Sequence, residues 1–567
     1  MSICVFFVPF AFSQEIELEE ITIKRVFLEI STEGIDYFSS ERIKDFPSFS
    51  LEEIVDYSSS IDLRKRFTFG IQQDISLRGS IFEDSFINLN GIKINDPQTG
   101  HFNLELPLTS EDLEEIEIFK NSQKINFILK KPKEKGFLLK SSFGQHALWE
   151  KLISFNFPLK QIKNRISLEH KISSGARQDT DFEIYNSSFH SLWEKDNKEI
   201  EFLFGHTKRD FGADSFYSVK YPQQGEHADQ RFFSLRAKFD NLNNTLYFRR
   251  HADKYILNRH NPSYYTNYHT TYIYGTKFEF DFYNDYFLSV DLGREKITST
   301  KLDNHRRLRK GLSWGVKDRR IKDFIFDLFS GFDYYENWEY LENLHLGVGY
   351  FLKDNLKLRY SFDRIWRAPS FTELYYSDPS NIGNPNLGIQ KSNNFEWGLD
   401  YFSDKLNLNF CFFLRDQLDT IDWVKNLPFD PWQAENIGDL NVYGFDFYSE
   451  IDFKNNYLKK VSLGYTYQNL DRKNPYSFSK YVFDYNCHKV VSNFEFNFKG
   501  ISLNLIANFS KPIDRKEYLT FDLKIGKRIS DFELFLEGIN ILNQDYEELK
   551  DIRGSPRWFK ISFIYSF

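Results

Sequence analysis

The sequence predicts an all-β transmembrane barrel of about 22 antiparallel strands, preceded by a small N-terminal α+β unit. Two observations support this fold class. Phe, Tyr and Trp make up 18% of the 567 residues, a composition that favours pleated, half-buried strands. The mean hydropathy is -0.52 and no run of about 18 apolar residues occurs, so helices that span a membrane are excluded.

The charge and cysteine content exclude several function classes. The chain has 73 Lys and Arg against 81 Asp and Glu, and the two signs are interspersed, so no basic surface is expected to attract nucleic acid. Cys4, Cys411 and Cys487 are too few and too far apart for a disulfide framework or a paired-cysteine metal site. No catalytic triad or carboxylate pair stands at catalytic spacing, which predicts a protein that is not an enzyme.

An apolar segment from Ile3 to Phe12 predicts a signal peptide. Ten helical residues reach about 15 Å, which is half of the hydrocarbon core of about 30 Å. Ala11 and Ser13 fit a signal-peptidase site and predict that residues 1–13 are removed on export. No Lys or Arg precedes Lys24, which leaves a truncated start as one alternative and an ordinary buried strand as another.

The residues between the signal peptide and residue 135 predict a mixed α+β unit. Helical spacing runs from Ser50 to Tyr57, with Ser50 and Glu53 as a capping box. Asn90-Gly91 is a strong signal for a two-residue β-hairpin. Short strands are expected at Asp74 to Leu77, Phe86 to Leu89 and Glu115 to Phe119.

From about Gly136 onward, apolar and polar residues alternate over stretches of about ten residues. Clear examples begin at Leu356, Leu406, Leu519 and Phe559, and each suits one tilted membrane crossing of about 9 to 11 residues. At about 20 residues per strand and its turn, the remaining roughly 430 residues give about 22 strands. A soluble sandwich is the alternative, although it rarely needs so many consecutive strands.

The segment from Gln73 to Phe119 combines an Arg-Gly pair, an Asn-Gly hairpin, an Asn-Asp-Pro-Gln-Thr-Gly run and an Ile-Glu-Ile strand. This order closely resembles the plug domain of TonB-dependent outer-membrane receptors, and the total length resembles their small, cobalamin-receptor-like members. The residues that match the plug motifs are Arg78, Gly79, Asn90, Gly91, Asn95, Asp96, Pro97 and Gly100.

Three later segments are similar to the barrel of the same family: Trp366 to Asn386, Glu435 to Gly444 and Gly538 to Tyr546. The resemblance therefore covers the plug and most of the barrel in the expected order. It implies that the terminal aromatic residue, Phe567, is read by the barrel assembly machinery. The residues that match the barrel motifs are Arg367, Pro369, Glu373, Asn436, Gly438, Gly444 and Asn540.

Near the mature N-terminus, a short segment resembles a TonB box, which an energised periplasmic partner grips. A partner that binds by adding a strand to its own sheet needs an unpaired, extended segment with β-branched residues. The acidic leader contains such a segment. The alternative is that this segment is the first strand of the plug. The residues of the predicted box are Glu19, Glu20, Ile21, Thr22 and Ile23.

The resemblance implies four parts: a signal peptide (1–13), a periplasmic leader with the TonB box (14–30), a plug inside the lumen (31–135) and a barrel (136–567). It implies a monomer in the lipids of the cell outer membrane of a Gram-negative-type bacterium, driven by the proton-motive force through the TonB-ExbB-ExbD complex. The expected cargo is a large scarce nutrient, cobalamin or a ferric siderophore. The alternative is a passive porin-like channel or another barrel without energy coupling.

No resident cofactor or metal is predicted. His251, His260 and His269 are spaced nine residues apart, too far for ligands on one strand face, and are expected at ordinary strand or loop positions. Bound calcium, as in some relatives, is the alternative. The aspartates that could hold it are Asp179, Asp181, Asp210 and Asp214.

Overall fold

The computed structural model describes residues 30–217, 220–283, 285–453, 457–471 and 475–567. The predicted signal peptide and the predicted TonB box, Glu19 to Ile23, lie outside these ranges. Within them, no helix is both long enough and apolar enough to cross a bilayer.

The N-terminal unit is a small α+β domain built on a five-stranded sheet of order β1-β6-β7-β4-β5, beside a separate β2-β3 hairpin. Its core consists of buried Ile, Leu, Val and Phe side chains. Its elements are β1 (Ile35–Phe38), α1 (Ser40–Asp45), a 3₁₀ helix (Glu52–Tyr57), β2 (Ile61–Lys65), β3 (Gln73–Leu77), β4 (Phe86–Leu89), β5 (Ile92–Lys93), a second 3₁₀ helix (Gly100–Phe102), β6 (Leu113–Phe119) and β7 (Lys124–Leu129).

The hairpin expected at Asn90-Gly91 is confirmed. Both residues have a positive φ, +47° and +77°, as a type I′ turn requires, and glycine adopts this conformation without steric cost. The expected α-helix and capping box at Ser50 are wrong. The segment forms a short 3₁₀ helix without a side-chain cap, because the Glu53 carboxylate accepts hydrogen bonds from the backbone N atoms of Phe49 and Phe69 instead.

The rest of the chain forms a closed barrel of 22 antiparallel strands, in which the last strand pairs with the first. The predicted strand number is confirmed. The barrel strands are β8 (Gly136–Gly144), β9 (Leu148–Leu159), β10 (Ile162–Ser173), β11 (Phe182–Lys195), β12 (Lys198–Gly212), β13 (Gly225–Phe239), β14 (Leu242–Ile256), β15 (Thr266–Phe282), β16 (Tyr286–Ser299), β17 (Asn304–Ile321), β18 (Phe324–Tyr335), β19 (Trp338–Lys353), β20 (Leu356–Arg367), β22 (Gln390–Phe402), β23 (Leu406–Leu418), β26 (Leu440–Asp452), β27 (Leu458–Asp471), β29 (Asn486–Phe498), β30 (Ile501–Pro512), β31 (Tyr518–Ile529), β32 (Phe532–Ile539) and β35 (Trp558–Ser566).

Smaller elements lie in the loops at one end of the barrel. One loop sheet has the order β21-β25-β24-β28, and β33 pairs with β34. These elements are α2 (Phe371–Tyr375), β21 (Asn381–Ile382), β24 (Ile421–Lys425), β25 (Trp432–Asn436), β28 (Phe478–Ser479), β33 (Glu547–Leu549) and β34 (Ile552–Arg553).

The two ends of the barrel differ in loop length. Two-residue turns, such as 160–161 and 196–197, join strands at one end, whereas loops such as 368–389 and 540–557 join them at the other. Outer-membrane barrels have short periplasmic turns and long extracellular loops, so the loop sheet marks the extracellular end.

The period-two pattern separates a lipid face from a lumen face. On β20, Leu358 points outward and is 43% exposed, whereas its neighbours Lys357 and Arg359 are buried inside the barrel. Because every strand pairs with two neighbours, no backbone edge faces the lipid, and charged side chains can line the interior.

Phe563 of β35 tests this assignment. It is 55% exposed and lies four residues from the C-terminus, about 10 Å above the periplasmic rim for a strand tilted by about 40°. We expect Phe563→Arg to lower the free energy of unfolding by about 2–4 kcal/mol, because the charge enters the lipid, whereas Phe563→Leu should cost less than about 1.5 kcal/mol. Urea unfolding in lipid vesicles measures both values. Equal values would contradict the outward orientation.

Candidate functional site

The turn after β3 carries Arg78, whose guanidinium lies between two barrel carboxylates. Arg78 Nη2 lies 2.5 Å from Asp446 Oδ2, and Nη1 lies 2.6 Å from Glu396 Oε2. The sulfur of Cys411 accepts a further hydrogen bond from Nη2 at 3.1 Å. Arg78 has a φ of +50°, which is uncommon for a residue other than glycine. The motif Arg78-Gly79 thus fixes the plug to the barrel wall.

The same network holds the first residues of the plug. The backbone N of Gly34 donates to Glu396 Oε1 at 2.6 Å, so Gly34 and Arg78 share one carboxylate. Lys120 Nζ lies 2.8 Å from Asp36 Oδ1, and the backbone N of Lys120 donates to the carbonyl of Gly34 at 2.9 Å. The segment that follows the leader is therefore tied to the partners of Arg78.

Arg367, at the extracellular end of β20, joins the plug to a loop of the barrel. Its Nε lies 2.9 Å from Asp84 Oδ1, and its two Nη atoms form a bidentate pair with Glu373 at 2.9 and 3.0 Å. Glu373 also completes the capping box of α2. The carbonyl of Pro369 accepts a hydrogen bond of 2.6 Å from Arg307. The three residues of this segment that match the barrel motifs, Arg367, Pro369 and Glu373, therefore lie together where the plug meets the barrel wall.

The Asn-Asp-Pro loop of the plug contacts the wall and α2 together. Asp96 Oδ2 lies 2.5 Å from Arg249 Nη1 and accepts a hydrogen bond from Thr271 at 3.1 Å. The carbonyl of Pro97 accepts from the backbone N of Phe371, the first residue of α2, at 2.8 Å. The extracellular loop that carries α2 therefore rests on the plug.

Asn95 and Gly100 shape this loop from within. Asn95 Oδ1 accepts from the backbone N of Ile87 at 2.9 Å, and its amide donates to the carbonyl of Ser85 at 2.8 Å. Gly100 begins the second 3₁₀ helix and packs against the backbone of Phe82. These two matched residues hold the loop in shape and do not contact the wall through the bonds described.

Two residues of the matched segment Glu435 to Gly444 organise the extracellular loops. Asn436 Oδ1 accepts from the backbone N of Gly388 at 2.9 Å, and its amide donates to the carbonyl of Asp419 at 2.8 Å. The carbonyl of Gly438 accepts from the backbone N of Thr420 at 2.9 Å. These bonds join the loops 368–389 and 419–439 to each other.

Gly444 and Asn540 have local structural positions. On β26, Gly444 allows close approach of β27, because a Cβ atom would collide with the carbonyl oxygen of Tyr467. Asn540 opens the loop 540–557, where its amide donates to the carbonyl of Ser555 at 3.0 Å and its Oδ1 accepts from the backbone N of Gln544 at 2.8 Å.

The C-terminal residue, Phe567, lies at the seam where the barrel closes. Its backbone exchanges two hydrogen bonds of 3.1 Å with Phe137, and the two rings stack with centres 5.6 Å apart. The Phe567 side chain is 70% exposed. The aromatic end of the chain is thus presented at the periplasmic rim.

The barrel mouth combines aromatic rings with cations. The rings of Phe82 and His101, at the top of the plug, stack with centres 4.1 Å apart, and Tyr481 of an extracellular loop lies 5.0 Å from Phe82. Lys480 Nζ lies 5.1 Å from the Tyr481 ring, and Lys425 Nζ lies 4.6 Å from the ring of a loop tryptophan, Trp432. Phe82 is buried beneath this group, whereas the other rings and the two ammonium groups are partly exposed and can bind rings and negative charge.

A further buried ion pair holds the first 3₁₀ helix of the plug. Asp56 lies 2.5 Å from Lys489 Nζ of β29 and 2.7 Å from Lys65 Nζ of the plug. Burial alone would raise the pKa of Asp56, but these two ammonium groups lower the pKa to about 2. The Asp56 carboxylate is therefore charged at neutral pH.

The aspartates considered for calcium have cationic neighbours. Asp181 Oδ2 lies 2.9 Å from Arg259 Nη2, and Asp210 Oδ2 lies 2.8 Å from Lys208 Nζ. In the described ranges, no group of three or more His, Cys, Asp or Glu side chains is placed to hold a metal ion.

The three histidines occupy two strands and a loop. His251 is buried on β14, where its Nε2 lies 3.0 Å from Glu105 Oε2 of the plug. His269 is buried on β15, and His260 lies in the loop between these strands, 3.3 Å from Asp179. His251 therefore belongs to the contacts between plug and wall.

Sequence reasoning missed the wall partners of the plug. Glu396, Asp446 and Lys489 lie more than 300 positions along the chain from Arg78 and Asp56, so no local pattern links them. The sequence does contain one indication of these partners. Each is a charged residue whose two neighbours along the strand face the lipid, so the alternating pattern places its side chain in the lumen. A search for charged residues at lumen-facing positions of the predicted strands would have found all three.

These contacts define a class of protein, a wide outer-membrane-type barrel whose lumen is closed by a domain fixed to the wall through buried ion pairs. The chain matches the family model described as TonB dependent receptor-like, beta-barrel, over residues 173–541. It also matches the TonB-dependent receptor plug domain over residues 29–127. The chain belongs to the TonB-dependent receptor family, whose members are receptors and transporters, as the motifs indicated.

Solved structures share this fold over almost the whole chain. The siderophore receptor PirA from Acinetobacter baumannii has a TM-score of 0.75 at 13% identity, covering 94% of this chain and 98% of that one. The FrpB iron transporter from Neisseria meningitidis has 0.75 at 12%, covering 95% and 100%. The ferric enterobactin receptor PfeA from Pseudomonas aeruginosa has 0.73 at 14%, covering 95% and 100%. No curated protein matches by sequence.

Arg78 offers a direct test of the plug–wall contact. Arg78→Ala removes the guanidinium of the plug from Glu396 and Asp446, which keep Arg359 of the wall and, at 3.9 Å, Lys120 as cationic neighbours. Plug docking should therefore weaken by about 3 kcal/mol, the lower end of the range for a broken buried ion pair. We expect faster amide hydrogen exchange in β1 and β3, measured by mass spectrometry on the purified protein. Arg78→Lys, which keeps the charge, should cause a smaller change. Unchanged exchange in Arg78→Ala would show that these ion pairs do not hold the plug.

Proposed function

We propose that this protein is a TonB-dependent transporter that imports a ferric siderophore across the outer membrane. The observation that carries the proposal is the position of the plug: a folded domain closes the barrel and is tied to its wall by charged side chains. A closed lumen suits a cargo that is taken up only when energy moves the plug. Transport of this kind needs no resident cofactor and no catalytic residue.

The contacts of residues 31–34 support energy coupling through the leader. Thr32 Oγ1 donates to Asp327 at 2.5 Å, and Lys357 Nζ donates to the carbonyl of Ser31 at 2.7 Å. Gly34 shares Glu396 with Arg78. A pull on the leader toward the periplasm would therefore act first on the wall contacts of Ser31 and Thr32 and then, through Gly34, on Glu396, a partner of Arg78. β1 is a four-residue edge strand, which suits it to detach from β6.

The proposed energising partner is the TonB-ExbB-ExbD complex, driven by the proton-motive force across the inner membrane. Glu19 to Ile23 would add as a strand to the periplasmic partner, because an extended segment with β-branched residues offers unpaired backbone groups. The leader precedes a plug segment that is fixed on the barrel wall, so tension in the leader would reach the plug directly.

The substrate proposal rests on two observations. Similar folds include proteins whose names describe siderophore or iron transport. In addition, the aromatic rings and the ammonium groups of Lys425 and Lys480 at the barrel mouth suit a chelate with flat rings and negative charge. Cobalamin is the alternative cargo. A passive porin-like channel is the alternative mechanism, and the ion-paired plug argues against it.

The remaining proposals concern export and assembly. The chain would be exported through a cleaved signal peptide, residues 1–13, and inserted as a monomer into outer-membrane lipids. The exposed Phe567 side chain at the barrel seam is placed for the assembly machinery to read.

A proline in the predicted TonB box tests the coupling. Ile21→Pro removes a backbone donor and should prevent strand addition, so energised uptake of ⁵⁵Fe-siderophore should fall to background. Binding to the purified receptor should stay within twofold. The control Ile21→Val keeps the β-branched side chain and should transport normally. Full uptake by Ile21→Pro would contradict the proposed coupling.

Growth on limiting nutrients separates the two cargoes. A strain that lacks this protein should grow poorly when iron is supplied only as ferric siderophores, and the wild-type gene should restore growth. Growth on limiting cobalamin should be unchanged. A defect on cobalamin alone would overturn the siderophore proposal and leave the transporter mechanism standing.

A further inference from the structure

Two buried carboxylates lie on the lumen face of the wall, just below the extracellular rim. Glu226 is the second residue of β13, Asp253 lies three residues before the end of β14, and they are 1% and 5% exposed. Glu226 lies opposite Tyr255 in the register, so Asp253 is its diagonal neighbour. Diagonal neighbours are about 7–8 Å apart, within reach of long side chains. We call Glu226 and Asp253 the acidic pair.

The acidic pair has no counter-charge within the protein. Other buried carboxylates of this region are paired, Asp96 with Arg249 at 2.5 Å and Glu105 with His251 at 3.0 Å. In the described ranges, no Lys, Arg or His nitrogen lies within 4.0 Å of the acidic pair, and its two carboxylates repel each other. A buried ionised carboxylate is costly unless a cation or hydrogen-bond donors compensate it. The acidic pair therefore favours a cationic partner from outside the protein.

Three oxygen atoms around the acidic pair have no hydrogen-bond partner among the described residues. Glu226 Oε2 accepts a hydrogen bond from the Tyr217 hydroxyl, whereas Glu226 Oε1 accepts none. The amide of Gln98, next to Pro97 of the plug, donates to Asp253, which leaves Asp253 Oδ1 and Gln98 Oε1 without a donor. Glu226, Asp253 and Gln98 are all more than nine-tenths buried. Because buried polar atoms rarely stay unpaired, these oxygen atoms indicate a ligand that brings donors.

The number and kind of these oxygen atoms fit a primary ammonium group. Such a group carries one positive charge and three N–H donors. A hard metal ion needs more oxygen ligands, and in the part of the chain that the structure describes no set of three His, Cys, Asp or Glu side chains is placed to hold one. Tyr217, which covers Glu226, belongs to the extracellular loop between β12 and β13 and is 37% exposed. A slender amine arm can therefore reach the acidic pair from the barrel mouth when this ring moves aside.

We propose that the acidic pair binds a primary ammonium group on a flexible arm of the imported chelate. This inference rests on the proposed function and narrows the cargo to ferric siderophores that carry a free amine. The three N–H donors would bind Glu226 Oε1, Asp253 Oδ1 and Gln98 Oε1, and the positive charge would offset the repulsion within the pair. Lys425 and Lys480, in other loops of the mouth, would bind the negative end of the chelate. The mouth would thus select a chelate that carries both charges.

Saturation-transfer difference NMR of the full-length protein in detergent tests the ammonium site itself. The probes are aminopentanol, which carries one ammonium group, and pentanediol, which carries none. We expect the wild type to bind aminopentanol at least tenfold more tightly than pentanediol. The variant E226Q/D253N keeps the shape of both side chains but removes their charges, so it should bind the two probes equally. Equal binding of both probes by the wild type would overturn the proposal. Displacement of aminopentanol by an equal concentration of potassium ions would also overturn it, because it would indicate a site for inorganic cations.

The matched control removes one Glu and one Asp from other extracellular loops. Glu517 and Asp545 are both exposed, and E517Q/D545N should bind aminopentanol like the wild type. The heat-dependent shift in gel mobility checks that each variant barrel is folded. Binding of aminopentanol by folded E226Q/D253N within twofold of the wild type would show that the acidic pair is not the site.

A pair of synthetic chelates connects the site to the cargo. The wild type should bind a ferric triscatecholate with one ammonium arm at least tenfold more tightly than the same chelate with the arm acetylated. E226Q/D253N should lose this preference, because only the charge of the arm differs between the two chelates. Equal affinity of the wild type for both chelates would contradict the proposal. If neither chelate binds although aminopentanol does, the ferric siderophore proposal fails and the ammonium site stands.

Discussion

The structure depends on charged contacts between the plug and the inner wall of the barrel. A lumen enclosed by 22 strands has to be filled, and its wall presents buried charges such as Asp446 and Glu396. Removing one member of such a pair costs about 3–5 kcal/mol where the other member is left as an uncompensated buried charge. Unlike apolar surfaces, charged groups regain hydration when they separate, which would suit the opening of this interface that is proposed above.

The alternation of apolar and polar residues along each strand gives the barrel wall two different faces. Outward aromatic and aliphatic side chains meet the lipid, while Arg, Lys, Asp and Glu at intervening positions meet the plug. A chain with a mean hydropathy of -0.52 can therefore form a membrane barrel. Gly34, Arg78 and Glu396 form one connected set of bonds, which joins the first residues of the plug to the wall contact of Arg78.

Local chemistry allowed much of the fold to be predicted. The strand count follows from period-two alternation, and the turn at Asn90-Gly91 follows from the φ values that these residues tolerate. The capping box at Ser50 failed because a distant backbone donor, Phe69, recruits the Glu53 carboxylate. The motifs identified Arg78 and Arg367, but not the carboxylates with which they pair. These partners are distant in the sequence, so no local pattern links them to the arginines.

The single-channel conductance of the purified full-length protein in planar lipid bilayers tests most directly whether the ion-paired plug closes the barrel. The contacts at Arg78, Asp96 and Arg367 predict a closed baseline at moderate voltage, with no steady open level in the absence of an energised partner. A constant, porin-like conductance from the unmodified protein would contradict the closed-lumen account and favour passive diffusion through the barrel.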